Sequence, residues 1–334
     1  MPKLTAMDEH FVHQLPEPLP VAAIEHHHWR ESYFFVTHGP DRHDDVVIVA
    51  MAHYPARGAM DALLMGRIGG ERLFQYHARP YGDDPHTTSV GPVTVSVEEP
   101  LRRLRVSVEP TDGFAADLMF TARTQPYLMR RGRLSDADGL IWDQSQMFQS
   151  GQFSGTYTSG GQTHDVAGWL GQRDHSWGVR NHGRVPLWVW LAVQLPDGMF
   201  GLWNWELADG SLVFLDGCWA PADGSDPVPL VGFDHELTWT VDGRPAPWAT
   251  NGEGITGLSG RVSLTTADGR TVTLDAEGEW CAPYVPFHGG GLNVMDVRAD
   301  DGRTGTAIYE VTGRHHHRYF PDPPSVGSVT ASAQ

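Results

Sequence analysis

Residues 171–183, GQRDHSWGVRNHG, concentrate side chains that can transfer protons or bind polar groups. Two acid–base residues are adjacent, and aromatic and basic residues surround them: Arg173, Asp174, His175, Trp177, Arg180 and His182. Glycines border the stretch at Gly171, Gly178 and Gly183. Such a segment is poor material for an ordinary core strand or helix, and its composition indicates a functional site.

The backbone conformation decides which of these side chains can act together. An extended chain directs Arg173, His175 and Trp177 to one face and Asp174 to the other. Asp174 and His175 then need separate partners, unless bends at Gly171 and Gly178 turn both into one cleft. The structural alternative is an ion-pair network, with Asp174 bridging an arginine and His175 bonding to a backbone carbonyl.

A second group of candidates follows in two tryptophan-rich segments, LWVWLAVQL and GLWNWEL. In a strand, Trp203 and Trp205 share one face, and Asn204 and Glu206 share the other. Aromatic side chains beside a few polar groups are typical of a small-molecule pocket. The alternative is that the tryptophans only fill a β core, since large aromatics provide much of its buried area.

The elements that must position these residues are predicted to be β-strands. Short alternating segments such as FDHELTWTV are separated by Asp-Gly pairs, which favour tight hairpin turns: Asp138-Gly139, Asp197-Gly198, Asp209-Gly210, Asp242-Gly243, Asp268-Gly269 and Asp301-Gly302. The pattern predicts an all-β, antiparallel fold that closes into barrels or stacks as sandwiches. Because 334 residues exceed one usual core, we expect two domains, 1–170 and 171–334.

The segment GQRDHSWGVR followed by VPLWVWLAVQL resembles the lipocalin-like family that contains the bacterial carotenoid hydratases (hydroxyneurosporene synthases) and fungal kievitone hydratase. The resemblance is sharp over residues 168–206 and diffuse elsewhere. It implies two lipocalin-like antiparallel β-barrel domains with the motif near their junction. It also implies a hydratase or dehydratase, a hydro-lyase, that needs no cofactor. The family's motif residues correspond to Arg173, Asp174, His175 and Trp177, whereas its downstream Tyr-x-Asp is replaced here by Trp203 to Glu206.

The implied chemistry fits these residue types. Adding water to an alkene needs a protonated acid in a dry pocket, and burial raises the pKa of a carboxyl. Asp174 or Glu206 is the expected acid, and His175 the expected base. Substrate contacts are expected from tryptophan faces, which stabilise a carbocation, and from neighbouring polar groups: Trp177, Trp203, Trp205, Asn204 and Arg173. The expected substrate is a lipophilic alkene or tertiary alcohol of terpenoid or phenolic type, and an enone or phenol would equally permit isomerisation or cyclisation.

Composition narrows the partners. The formal net charge of −17 repels nucleic acid and anionic membranes. The chain has no apolar leader and no apolar run of membrane-spanning length, so we expect a cytoplasmic protein without stable membrane insertion. Its oligomeric state stays open, a homo-oligomer included. Cys218 and Cys281 follow no C-x-x-C spacing and are expected to be small buried hydrophobes.

Two other functions remain in competition. A carrier would bind a lipophilic ligand in an aromatic cavity, with no buried protonatable carboxyl facing His175. A metal-dependent enzyme would bring His26, His28, His175 or the triplet His315-His316-His317 onto one ion. Only alternate residues of a triplet share a strand face, and no H-E-x-x-H pattern supports a metal, so we expect none.

Overall fold

The computed structural model describes residues 9, 25–39, 42–81, 87–182, 184, 187–247, 254–282, 289–313 and 317–320. As predicted, the fold is all-β and lipocalin-like, with two large antiparallel sheets and a short 3-10 helix at Pro55–Arg57. The Asp-Gly pairs of the sequence analysis lie at turns between strands. At one of them Asp242 and Gly243 both have positive φ, +49° and +72°, which a two-residue type I′ hairpin requires.

The first sheet follows the order β4-β3-β2-β1-β12-β11-β8-β7-β6-β5, and β9 and β10 pair with β11 beside this path. Arg79 Nε of β4 donates to the carbonyl of Ser89 in β5 at 2.8 Å, so the two ends of the path lie together. Its strands are β1 (Trp29–Gly39), β2 (Arg42–Tyr54), β3 (Ala59–Ile68), β4 (Glu71–Pro80), β5 (Ser89–Val90), β6 (Val93–Glu99), β7 (Arg103–Thr111), β8 (Phe114–Ala122), β9 (Tyr127–Leu128), β10 (Gly132–Asp136), β11 (Gly139–Ser159) and β12 (Gln162–Arg180).

The second sheet runs β15-β14-β13-β21-β20-β19-β18-β16-β17, and a further pairing of β15 with β16 closes it into a barrel. Its strands are β13 (Leu187–Leu195), β14 (Gly198–Glu206), β15 (Leu212–Pro221), β16 (Val228–Val241), β17 (Arg244–Ala246), β18 (Ile255–Thr266), β19 (Thr271–Ala282), β20 (Gly289–Ala299) and β21 (Thr304–Gly313). Among the described residues, no helix is long and apolar enough to cross a bilayer.

Each compact unit has its own apolar core. The first unit comprises Met1–Leu128 and Gln144–Arg180, and the second comprises Met129–Asp143 and Asn181–Gln334. The sequence analysis instead placed one boundary near residue 170. The difference arises because β12 pairs with β1 from Leu170 to Val179, so the motif stays with the first sheet up to Arg180, where β12 ends.

Candidate active site

The motif forms part of one continuous strand. In β12, Asp174 lies directly opposite Phe34 of β1, and His175 lies opposite Tyr33. Since the register is regular through the motif, the side chains of Asp174 and His175 point to opposite faces. Gly171 does not bend the strand toward a shared cleft: a Cβ there would lie 2.1 Å from the carbonyl oxygen of Val36, so the glycine permits close strand approach.

His175 faces the core side of the first sheet, where a buried carboxylate orients its ring. His175 Nε2 lies 2.9 Å from Glu31 Oε1, and His53 Nε2 lies 3.3 Å from Glu31 Oε2. The ring of Tyr33 is 4.7 Å from that of His175, and half-buried Trp177 meets it edge-on at 5.5 Å. His175 and Glu31 are fully buried. This imidazole–carboxylate arrangement can hold and move protons.

Glu31 and His53 are not among the site residues predicted from the sequence. Glu31 alternates with Tyr33 and Phe35, both core residues of the first unit, so a charged residue occupies a core-facing strand position. That pattern was a usable signal, because a buried carboxylate needs partners. It gave no indication of which partners these would be.

Arg173, expected to bind substrate, lies in a buried ion pair. Its guanidinium contacts both carboxylate oxygens of Glu9, at 2.5 and 2.7 Å, and also bonds Gln149 Oε1 at 2.9 Å. Glu9 Oε2 additionally accepts a hydrogen bond from the backbone N–H of Leu101 at 2.6 Å. Both charged side chains are fully buried. Arg173 is therefore an ion-pair partner inside the first unit and not the substrate contact expected from the sequence.

Asp174 lies on the other face of β12 and has an unusual protonation equilibrium. Gln146 Nε2 donates to its Oδ2 at 3.0 Å, and the side chain is 8% exposed. Burial raises the pKa of Asp174 to about 7, against the opposing charges of Arg180, Arg30 and Arg173. The carboxyl therefore holds a proton close to neutrality, which a general acid requires.

Polar side chains surround Asp174 on that face. Ser176 and Ser32 share a hydrogen bond of 3.0 Å, and Arg180 NH2 donates to Ser176 Oγ at 3.2 Å. Arg180 Nε also donates to Gln144 Oε1 at 2.5 Å, and Arg30 NH2 donates to Ser32 Oγ at 2.7 Å. These contacts fix the two guanidinium groups whose charges act on Asp174.

Glu206, the other candidate acid, belongs to the second unit and behaves in the opposite way. Its Oε1 accepts from His235 Nε2 at 2.5 Å and from Asn204 Nδ2 at 2.8 Å, and its Oε2 accepts from His317 Nε2 at 3.1 Å. Burial alone would raise the pKa of Glu206, but the hydrogen bonds from the two imidazoles outweigh it and lower the pKa well below its usual range. Glu206 is consequently a carboxylate at neutral pH.

Trp203 and Trp205 lie on the face of β14 opposite Glu206, as the period of two predicts. Their neighbour Leu202 is in the barrel core, whereas the two tryptophans pack against Trp142 of the β10–β11 hairpin, with ring centroids 5.3 and 4.9 Å apart. The ring of Phe214 stacks on Trp205 at 4.5 Å. The structure thus brings Asn204 and Glu206 together, and keeps both tryptophans away from Glu206 in a packed aromatic cluster.

The histidines offer no cluster of metal ligands in the described ranges. No group of three or more His, Cys, Asp or Glu side chains there could hold a metal ion. His26 and His28 lie before β1 with ring centroids 6.0 Å apart, and His317 binds Glu206. His315 and His316 lie outside the described residues. Cys218 and Cys281 are buried free thiols, as predicted.

Solved structures with this fold come from several proteins. A protein of Nitrosomonas europaea, provisionally identified as AttH, matches with a TM-score of 0.60 and 14% identity over 90% of this chain and 98% of that chain. Kievitone hydratase of Nectria haematococca matches with a TM-score of 0.53 and 13% identity, over 84% and 88%. CghA matches with a TM-score of 0.54 and 12% identity, over 91% and 97%. At these identities the matches establish the lipocalin-like fold.

Sequence comparison gives a family without an assigned activity. A search of curated proteins finds no match. One family model matches residues 4–205, more than half of the chain, and it covers the motif of β12, the strand β13 and β14 up to Trp205. The chain belongs to this family of unknown function, DUF8625.

Proposed function

We propose that the protein is a cofactor-independent hydratase or dehydratase, a hydro-lyase, that acts on a lipophilic alkene or tertiary alcohol with Asp174 as the proton donor. The observation that carries the proposal is the buried Asp174 carboxyl, whose pKa is raised to about 7 by burial. Of the two acids expected from the sequence, only Asp174 has a raised pKa, as a proton donor needs, because the pKa of Glu206 is lowered.

One carboxyl can complete the reaction. The protonated Asp174 transfers its proton to one alkene carbon, and the oxygen of water bonds to the neighbouring carbon. The Asp174 carboxylate then accepts the proton that the added water releases, which regenerates the acid. Dehydration of the alcohol follows the same steps in reverse. Only Oδ2 of Asp174 is occupied by a described hydrogen bond, so Oδ1 is the oxygen we assign to the substrate.

The surroundings of Asp174 narrow the substrate within the terpenoid and phenolic range. The nearby charges of Arg180 and Arg30 lower the pKa of Asp174, so both guanidinium groups act on the reaction site. Positive charge disfavours an isolated carbocation and stabilises electron density that develops on oxygen. We therefore favour an alkene conjugated to a phenol or carbonyl, for which isomerisation or cyclisation at the same acid is a related outcome.

The roles of the other predicted residues change accordingly. His175 and Trp177 face away from Asp174 on the same strand, so we assign His175, with Glu31, to positioning β12 rather than to the same proton transfer. Phe34 lies directly opposite Asp174, so we assign to Phe34 the aromatic substrate contact that was expected from the tryptophans. The fold similarity to kievitone hydratase supports hydration chemistry, and the two free cysteines agree with the cytoplasmic location that we propose.

The carrier alternative has no observation in its favour. It required that no buried protonatable carboxyl face His175, whereas Glu31 faces His175 at 2.9 Å. A carrier also has no need for a carboxyl that holds its proton near neutrality. The raised pKa of Asp174 agrees better with an enzyme than with a simple binding protein.

The first test follows oxygen from solvent into product. Metal-stripped protein is incubated in oxygen-18 water with isoprenoid alkenes, phenol- or enone-conjugated alkenes and the corresponding tertiary alcohols, and products are analysed by mass spectrometry. We expect label in the alcohol without added cofactor. Tight binding of the same compounds with no label would replace the proposal with the carrier function.

The Asp174→Asn variant tests the assignment of the acid. It retains an oxygen that can accept from Gln146 but carries no transferable acid proton, so we expect turnover to fall by about 10²–10⁴-fold. Asp45→Asn is the matched control, since Asp45 is also buried in the first sheet and accepts the N–H of Gly69 at 2.9 Å. Equal activity in the two variants would remove Asp174 from the mechanism.

A further inference from the structure

We propose that the second barrel carries a separate site for an organic ammonium ion, in a cavity of about 630 Å³ whose wall includes Glu206, His235 and Phe233. This site uses none of the residues assigned to hydration. Its volume lies in the range of about 300–1,000 Å³ that is usual for small-molecule pockets.

Glu206 is a buried residue in the wall of this cavity. Its three hydrogen-bond donors come from His235, His317 and Asn204. Arg318, which can only donate, places NH2 3.2 Å from His235 Nδ1, and the backbone N–H of Tyr319 donates to His317 Nδ1 at 3.3 Å. The shortest contact of His235 Nδ1 is with Tyr319 Oη, at 2.8 Å. The hydrogen bonds to Glu206 lower its pKa, so the carboxylate stays ionised at neutral pH.

No described lysine or arginine forms an ion pair with Glu206. Within the described ranges, the ion-pair partners of Glu206 are the two imidazoles, and Arg318 bonds to the ring and carbonyl of His235 instead. Glu206 is 7% exposed, so its charge is largely removed from water. A buried carboxylate is costly unless charged or hydrogen-bonded partners surround it, and a cation in the adjacent cavity would be a further partner for Glu206.

The remaining wall indicates what kind of cation fits. Asp209, Asp234 and Glu236 add negative charge against the single guanidinium of Arg318. Phe233 stacks on His235 with ring centroids 5.0 Å apart and offers an aromatic face, which attracts ammonium groups. The described His, Cys, Asp and Glu side chains form no group able to hold a metal ion. An ammonium ion attached to an apolar body, which Leu212 can contact, matches this wall better than a metal does.

The binding test uses three probes of similar shape and different charge. Benzylammonium, benzyl alcohol and benzoate are each titrated into the full-length protein by isothermal calorimetry. We expect saturable binding of benzylammonium that weakens with added salt, and at least tenfold weaker binding of the other two. Equal binding of all three probes, or no binding of benzylammonium, would overturn the proposal.

Variants locate the binding on the barrel. Glu206→Gln keeps the shape and removes the charge, so we expect benzylammonium affinity to fall at least tenfold. Asp275→Asn is the control, because Asp275 pairs with Arg261 on the exposed surface of the same barrel. If Glu206→Gln does not fold, the exposed pair Asp234→Asn and Glu236→Gln tests the same charge effect, with about threefold weakening of benzylammonium binding expected.

Unchanged benzylammonium affinity in these variants would exclude this cavity as the binding site. Because Asp174→Asn should bind the probe normally, failure of the hydratase proposal is separable from failure of this one.

Discussion

Two buried carboxyls in this chain show how neighbours decide the role of a residue. Asp174 accepts one described hydrogen bond from a neutral amide, so burial dominates and its pKa rises to about 7. Glu206 accepts from two imidazoles and an amide, and these bonds outweigh burial and lower its pKa. The first group is suited to donating a proton and the second to remaining charged. Residue type and exposure alone would not separate them.

Arg173 provides a test of a buried ion pair at the scale of single residues. Arg173→Met removes the cation that pairs with Glu9 and leaves a buried carboxylate, so we expect a loss of about 3–5 kcal/mol in the free energy of unfolding. Arg105→Met is the matched control, because Arg105 and Asp117 form a bidentate pair on the exposed surface of the same sheet. That change should cost far less in urea titrations, because solvent screens an exposed ion pair. Similar losses in the two variants would show that the buried pair of Arg173 with Glu9 contributes no more to stability than an exposed pair.

At the scale of elements, the period of two was the most informative property of the sequence. It separated Asp174 from His175 and Glu206 from Trp205, and the strands β12 and β14 have these arrangements. Asp-Gly pairs likewise marked the turns. The pairing of His175 with Glu31 could not be derived in this way, because 144 positions separate them in the chain. Local pattern gives the face of a strand, whereas strand order brings distant residues together.

Gly171 tests how closely β12 must approach β1. In Gly171→Ala the new Cβ would lie 2.1 Å from Val36 O and 2.8 Å from the Phe153 ring, so the strands must separate. We expect a loss of about 2–3 kcal/mol in the free energy of unfolding. Gly160→Ala is the comparison, because its Cβ meets nothing within 4 Å and only the φ of +57° resists it, at about 1–2 kcal/mol. A smaller loss for Gly171→Ala would show that the strand has room for a side chain.

At the scale of the whole molecule, the free energy of unfolding combines carboxyls that respond to pH in opposite directions. The raised pKa of Asp174 means that the folded chain binds more protons than the unfolded chain between about pH 4 and 7, so this group removes stability as pH rises. The lowered pKa of Glu206 adds stability above its ordinary value of 4.5, and that contribution is lost as pH falls below it.

Urea unfolding of the wild-type chain, Asp174→Asn and Glu206→Gln between pH 3 and pH 8 separates these effects. The pKa of Asp174 lies about three pH units above 3.8, and each unit corresponds to about 1.36 kcal/mol. Because the wild-type chain loses this stability as the pH rises, we expect the free energy of unfolding of Asp174→Asn to increase relative to that of the wild type by roughly 4 kcal/mol from pH 4 to pH 8. Glu206→Gln should be less stable than wild type at pH 7, with the deficit shrinking as the pH drops below about 4.5. Because the variants act in opposite directions on the same molecule, a general effect of its net charge of −17 cannot produce both curves. A flat difference for Asp174→Asn would mean that this carboxyl titrates as an ordinary aspartate, and Asp174 would then lose the property that makes it the proton donor.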